Sequence, residues 1–310
     1  GLTDGLPGRR YLWTDAFAVC NLLELWRASA DETFRQAALL LVDQVHHVLG
    51  RHRPDDHRQG WISGLDEREG SLHPTAGGLR IGKPKLERPP DEPLDPRKEW
   101  DRDGQYYHYL TKWMHALQRV FEETGDPSYH RWAVELARAA HSAFIEVDDH
   151  GRPTGMVWKK SIDLTRTLVP SMGQHDPLDG LVTFITLEAG GKNEDRESES
   201  DLGGGSEREL GDEIDDLARI CTGLGWTTTD PLGAGGLLTD LYRLVRLTPE
   251  RDGRLEPLLE SVLKAALASV DHCAGSGMFT RPADRRLAFR EIGLAVGLAA
   301  VERLSRLLRN

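Results

Sequence analysis

Residues 11–49, YLWTDAFAVCNLLELWRASADETFRQAALLLVDQVHHVL, decide the fold. Between Tyr11 and Trp26, the apolar residues Leu12, Ala16, Phe17, Val19, Leu22, Leu23 and Leu25 recur at three- and four-residue spacing. That spacing lines one face of an α-helix, and residues 34–49 repeat it. Only the short polar link 28–32 stands between the two segments, a length that turns a chain back antiparallel. The opening unit is therefore a helical hairpin.

The same pattern returns along the chain. Residues 103–124 and 129–147 form a second pair, separated by Gly125-Asp126-Pro127, a helix stop followed by an Asp-Pro start. Residues 176–189 pair with a shorter helix over 213–222, residues 230–247 pair with 255–273, and 287–308 make a last long helix. Asp176-Pro177-Leu178 and Asp230-Pro231-Leu232 share a start in which the carboxylate caps an orphan amide and proline stands where no N–H is needed. Small residues recur in these later helices (Gly180; Gly233, Gly235 and Gly236; Gly293 and Gly297), as close packing around an axis requires. The expectation is one all-α domain over 1–310, an (α/α) toroid of nine or ten helices, which is short of six full hairpins.

Three segments interrupt the helices. Residues 50–100 are rich in proline and glycine, with strand-like pieces at 60–63 and 78–82, and read as a long loop over the mouth of the ring. A β-hairpin is expected around 151–161, and residues 190–212, almost devoid of apolar side chains, read as a mobile acidic insertion.

Composition narrows the partners. Net charge is −11 with acids and bases interleaved, which offers no clustered cationic face for phosphate, so nucleic acid is not an expected partner. No apolar run reaches the roughly 18 residues of a membrane span. Cys20, Cys221 and Cys273 are odd in number and far apart, which fits free thiols in a reducing compartment. A cytoplasmic location is expected; the chain opens on Gly1, which leaves a removed signal peptide open. Residues 77–83, GGLRIGK, lack the spacing of a phosphate-binding loop, with Pro84 where Ser or Thr should follow, so no nucleotide cofactor is expected, nor any other. Adjacent His46 and His47 point about 100° apart on a helix and make a poor metal pair.

Four local pieces, residues 11–15 (YLWTD), 60–64 (GWISG), 100–108 (WDRDGQYYH) and 158–163 (WKKSID), sit on this hairpin pattern, and together the chain resembles the six-hairpin glycosidase-like proteins, in an uncharacterised bacterial branch. The resemblance implies an active site at the mouth of the toroid and a small-molecule or oligosaccharide substrate. Converging helix starts would bring acids and aromatic rings to one rim. Paired carboxylates supply the acid and the base or nucleophile of glycoside hydrolysis, and aromatic faces stack on sugar rings. Asp15, Asp103 and Asp179 are the candidate catalytic acids. Trp13, Trp61, Arg80, Trp100, Asp101, Tyr106, His108, His175 and Trp226 are candidate substrate contacts, with Arg80 and Lys83 able either to salt-bridge acids near the mouth or to hold a substrate carboxylate such as that of a uronic acid. Asp103→Asn is expected to abolish turnover while leaving the fold intact. Two other readings stand beside hydrolysis: sugar epimerisation or isomerisation with His108 and His175 as bases, and a helical ring that binds a ligand or protein without turnover. The oligomeric state is left open.

Overall fold

The computed structural model describes residues 9–198, 209–247 and 253–307. It is predominantly helical, with eleven α-helices and five short strands among the described residues. The chain separates into two compact units: residues 1–172 with 186–214, and residues 173–185 with 215–310.

The first unit is built on α1 (Leu12–Ser29), α2 (Glu32–Leu49), α5 (Tyr107–Thr124) and α6 (Pro127–Phe144). Helix α1 stops where Ala30 turns left-handed and its amide bonds the Trp26 carbonyl at 2.7 Å; Asp31 then caps α2 by accepting from the Thr33 amide at 2.9 Å. Gly125, at φ 69°, and Asp126, bonded to the Ser128 amide with Pro127 at the first turn, do the same between α5 and α6. Helix α1 buries Leu12, Ala16, Val19 and Leu23, while α5 is buried on nearly every side, with Tyr107, Leu110, Trp113, Met114, Leu117 and Val120 enclosed. Each such large side chain contributes roughly 1.5–3 kcal/mol by leaving water, so α5 is the core of this unit.

The connection 50–106 holds two short helices, α3 (Glu67–Leu72) and α4 (Pro96–Glu99), each capped by an Asp, which raise the helix number above the expected nine or ten. Its strand-like pieces are not strands. Residue 61 makes one isolated bridge with Arg51. Residues 80 and 81 bond to the Leu49 carbonyl, the Leu12 amide and the Gly104 carbonyl. Their partners are helix ends and a loop, so no ladder can extend.

Helix α5 begins at Tyr107 rather than at Asp103, because Gly104 takes φ 143° and β1 (Gln105–Tyr106) pairs with β4 (Lys159–Lys160). Helix α6 likewise stops at Phe144, and the chain enters β2 (Ile145–Val147), which turns back on β3 (Pro153–Met156). The expected hairpin is thus two antiparallel pairings: β2 with β3, and β4 with β1 and β5 (Thr167–Val169).

Helix α7 (Asp176–Ser198) and α8 (Gly211–Cys221) each run from one unit's residues into the other's. Helix α7 already includes Asp176, and it continues through 190–198, where an irregular insertion was expected; residues 199–208 of that insertion lie outside the described residues.

The second unit holds the start of α7 together with α9 (Pro231–Leu247), α10 (Glu256–Gly275) and α11 (Ala288–Leu307). Its glycines explain the expected close packing: a Cβ on Gly235 of α9 would lie 2.1 Å from the Gly293 carbonyl oxygen of α11. Leu237, Leu241 and Leu244 of α9, with Val262 and Ala266 of α10 and Leu294 and Leu304 of α11, form its apolar interior. None of Cys20, Cys221 and Cys273 is joined in a disulfide. Among the described residues no helix is long and apolar enough to cross a membrane.

Candidate functional site

The aromatic side chains at the amino-terminal ends of α1 and α5 gather into one cluster. Neither helix is capped by a side chain at its N-cap, which is Tyr11 for α1 and Tyr106 for α5. The two tyrosines and the first turns beside them meet across the helix pair: Tyr11 packs edge-on to Tyr109 with ring centres 5.6 Å apart and hydroxyl oxygens 2.5 Å apart. Trp13 lies 5.1 Å from Tyr109 and 5.7 Å from His108. His108 stacks with both Tyr106 and Trp158, at 5.5 and 5.9 Å, and those two rings lie 5.4 Å from each other. Trp158 comes from the turn before β4, and it donates from Nε1 to His108 Nδ1 at 3.1 Å. A neutral His108 therefore carries its proton on Nε2, and Nδ1, engaged by Trp158, is not available as a base. Trp13, His108 and Trp158 are half-buried and Phe17, packed on Trp13, is exposed, so the cluster is partly open to solvent.

Asp15 sits on the other flank of α1. At about 100° per residue, Trp13 and Asp15 point roughly 200° apart, and Asp15 shares its face with Tyr11. Its Oδ2 accepts from the Tyr11 amide at 3.1 Å and lies 3.9 Å from Arg10 Nε. Burial outweighs the nearby guanidinium and the amide bond, so the carboxyl ionises above the usual aspartate range. Burial also raises Tyr106 and Tyr109, helped at Tyr109 by its bond to Tyr11.

Asp103 is not presented to a ligand, against the sequence expectation. It is 0 % exposed; Oδ2 takes Arg80 Nη1 at 2.7 Å and Oδ1 takes the amides of Gly82, Lys83 and Gly104 at 2.9–3.2 Å. Arg80 is spent in the same way, on Asp103 and on the carbonyls of Val48 and Arg51. The pair pins the extended strand of chain at 78–83 between α1, α2 and the turn before β1. Trp61 is buried against Gly70 and under Arg51, with no face left to stack on a sugar. Asp101 is exposed and pairs with Lys85 at 3.3 Å, while Trp100 is 58 % exposed and carries Lys83 Nζ over its ring at 4.3 Å.

Asp179, His175 and Trp226 belong to the second unit. Trp226 is buried; its carbonyl accepts from His175 Nε2 at 2.9 Å, and burial lowers the His175 pKa. Asp179 is buried in the first turn of α7, its amide bonded to the His175 carbonyl. Asp230 stands just before α9 as expected of a cap, and its carboxylate pairs with Arg290 at 2.6 Å.

His46 and His47 do different work: His46 Nε2 accepts from Trp113 Nε1 at 3.2 Å inside the core, where burial holds its pKa down at about 3, while His47 pairs with Asp43. Among the described residues no group of three His, Cys, Asp or Glu gathers to hold a metal.

Sequence reasoning passed over Tyr11, Tyr109 and Trp158 as ring contributors. The signal for Tyr11 and Trp158 was present in the quoted pieces that they begin, each an aromatic at a helix or strand boundary; Tyr109 stands one residue past the piece at 100–108.

No protein-family model and no curated protein matches the chain. Among solved structures it is similar to the unsaturated glucuronyl hydrolase of Bacillus sp. GL1, described as responsible for the degradation of glycosaminoglycan. The two are 14% identical over 87% of this chain and 75% of that one, with a TM-score of 0.38. It is also similar to a UGL variant with dGlcA-Glc-Rha-Glc, at 16% identity, the same coverage and a TM-score of 0.38.

Proposed function

We propose that this chain is a carbohydrate-active enzyme, a glycoside hydrolase that seats a saccharide on the aromatic cluster of α1 and α5 and uses Asp15 as its acid. The observation that carries the reading is the contiguous set of half-buried ring faces, Trp13, His108 and Trp158, at the head of a helix that also holds a desolvated carboxyl. Ring faces stack on the C–H faces of sugars, and an acid whose pKa is raised by burial stays protonated long enough to serve a leaving oxygen. The tyrosine hydroxyls supply polar groups among the rings.

A second reading, saccharide binding without turnover, is favoured by one observation: Asp103, the expected second carboxylate, has both oxygens engaged inside the protein. One experiment separates the two. Purified protein is screened for binding and for release of reducing ends on a panel of oligosaccharides, beside Asp15→Asn and Asp179→Asn. Hydrolysis predicts turnover that Asp15→Asn removes while binding persists. Binding without turnover selects the second reading, and a panel that neither binds nor reacts rejects both.

A further inference from the structure

The acids of the turn at 99–103 are each matched to a cation. Glu99 takes Lys159 at 2.7 Å and Arg88 at 3.1 Å, Asp101 takes Lys85 at 3.3 Å, and Asp103 takes Arg80 at 2.7 Å. Lys83 has no such match. It is nine-tenths buried, yet among the described residues no carboxylate, carbonyl or hydroxyl accepts from its Nζ. What surrounds the ammonium is aromatic: the Trp100 ring at 4.3 Å and the Tyr11 ring at 5.3 Å. Ring faces attract a cation but accept none of its three N–H bonds in the way an oxygen does.

The lysine is also held in place. Its amide donates to Asp103 Oδ1 at 3.2 Å and its carbonyl accepts from Arg53, so its backbone is fixed on both sides. Through Tyr11 it adjoins the cluster, since Tyr11 touches both Lys83 and Tyr109. A second ammonium, that of Lys159, lies 5.2 Å from the Tyr106 ring, but Glu99 matches its charge. An oriented, partly desolvated ammonium with unserved donors beside a stacking surface is a receptor for one negative charge carried on a ring.

We propose that Lys83 Nζ binds an anionic substituent of the saccharide, so that the ligand is an acidic sugar; this rests on the carbohydrate reading above. The chemistry is that of an oxyanion, either a ring carboxylate or a sulfate ester. A charge-assisted hydrogen bond in such a setting is worth roughly ten- to hundred-fold in affinity.

The test is calorimetric titration at low salt with trimers of galacturonate, glucuronate and mannuronate, their methyl esters, the parent neutral trimers and the neutral trimers carrying a 6-sulfate. The wild type should bind an acid trimer at least about ten-fold more tightly than its ester, which keeps shape and removes charge. Lys83→Met should bring that ratio near one, and Lys83→Arg should keep most of it. Trp100→Leu, at an exposed position that should not trouble folding, should reduce the ratio by removing one wall. A preference for the sulfated trimer supports the site and assigns the oxyanion. Neutral and acidic trimers binding the wild type equally, or a ratio that survives Lys83→Met, overturns the assignment of Lys83 while leaving the carbohydrate reading intact. No binding by any trimer overturns both.

Discussion

Asp103→Asn is expected to unfold this protein more easily rather than to silence it selectively. The carboxylate is fully enclosed, and it serves the Arg80 guanidinium and three backbone amides at once, with Arg53 Nη1 3.5 Å away. Removing one member of a buried ion pair costs about 3–5 kcal/mol, because the remaining charge stays out of water. Asparagine keeps one oxygen for the amides but turns an N–H toward Arg80, which places its cost near 3 kcal/mol; alanine leaves every partner unserved and should reach about 5 kcal/mol. At roughly 2–4 °C per kcal/mol, the asparagine variant should melt about 6–12 °C lower. Urea unfolding followed by far-ultraviolet circular dichroism at pH 7 measures this, and adding Arg80→Met should recover part of the loss, since the two changes share one contact. An Asp103→Asn protein as stable as the wild type within about 0.5 kcal/mol, yet devoid of glycan turnover, would refute the structural role and return this residue to the chemistry.

Other outcomes follow from the same contacts. Because burial raises the Asp15 pKa, its contribution to stability is present below the ordinary aspartate value and fades as pH rises through the folded value; Asp15→Asn should therefore melt no lower than wild type at pH 7, and a large loss there would contradict the desolvated carboxyl. His46 is depressed to about 3, so its contribution is full above pH 6.5 and is lost as pH falls from there. Stability should decline by a few kcal/mol over that interval, and His46→Gln should flatten the slope; an unchanged slope would be evidence against a neutral buried imidazole. Gly235→Ala forces a methyl against the Gly293 carbonyl and should cost about 1–3 kcal/mol in chemical denaturation, whereas Gly236→Ala, which meets nothing, should cost little or add stability.

Much of the fold was legible in residue order. Apolar spacing gave every long helix but α7 to within a few residues, while α7 runs on to Ser198 beyond its apolar pattern; Asp-Pro and glycine punctuation marked where α6 begins and α5 ends, because capping and backbone geometry are local chemistry. The misplaced start of α5 has a long-range cause. Residues 103–106 carry helical periodicity, yet Gln105 and Tyr106 find a better partner in Lys159 and Lys160, more than fifty residues away. Long-range pairing of that kind leaves no trace in a window of eleven residues.

The candidate site divides in the same way. Residue types alone pointed to Trp13, Asp15, Trp100 and His108, and to a cluster at the head of α5. Whether an acid faces solvent or an arginine depends on its neighbours in space: Asp101 and Asp103 stand two residues apart, one exposed beside Lys85, the other sealed beneath Arg80. Sequence determined which elements form and which chemistry they carry, because both follow from contacts within a few residues. Tertiary structure alone decided that Asp103 holds the loop and that Lys83 Nζ lies against the rings of Tyr11 and Trp100, since burial and pairing are set by chain segments that meet only after folding.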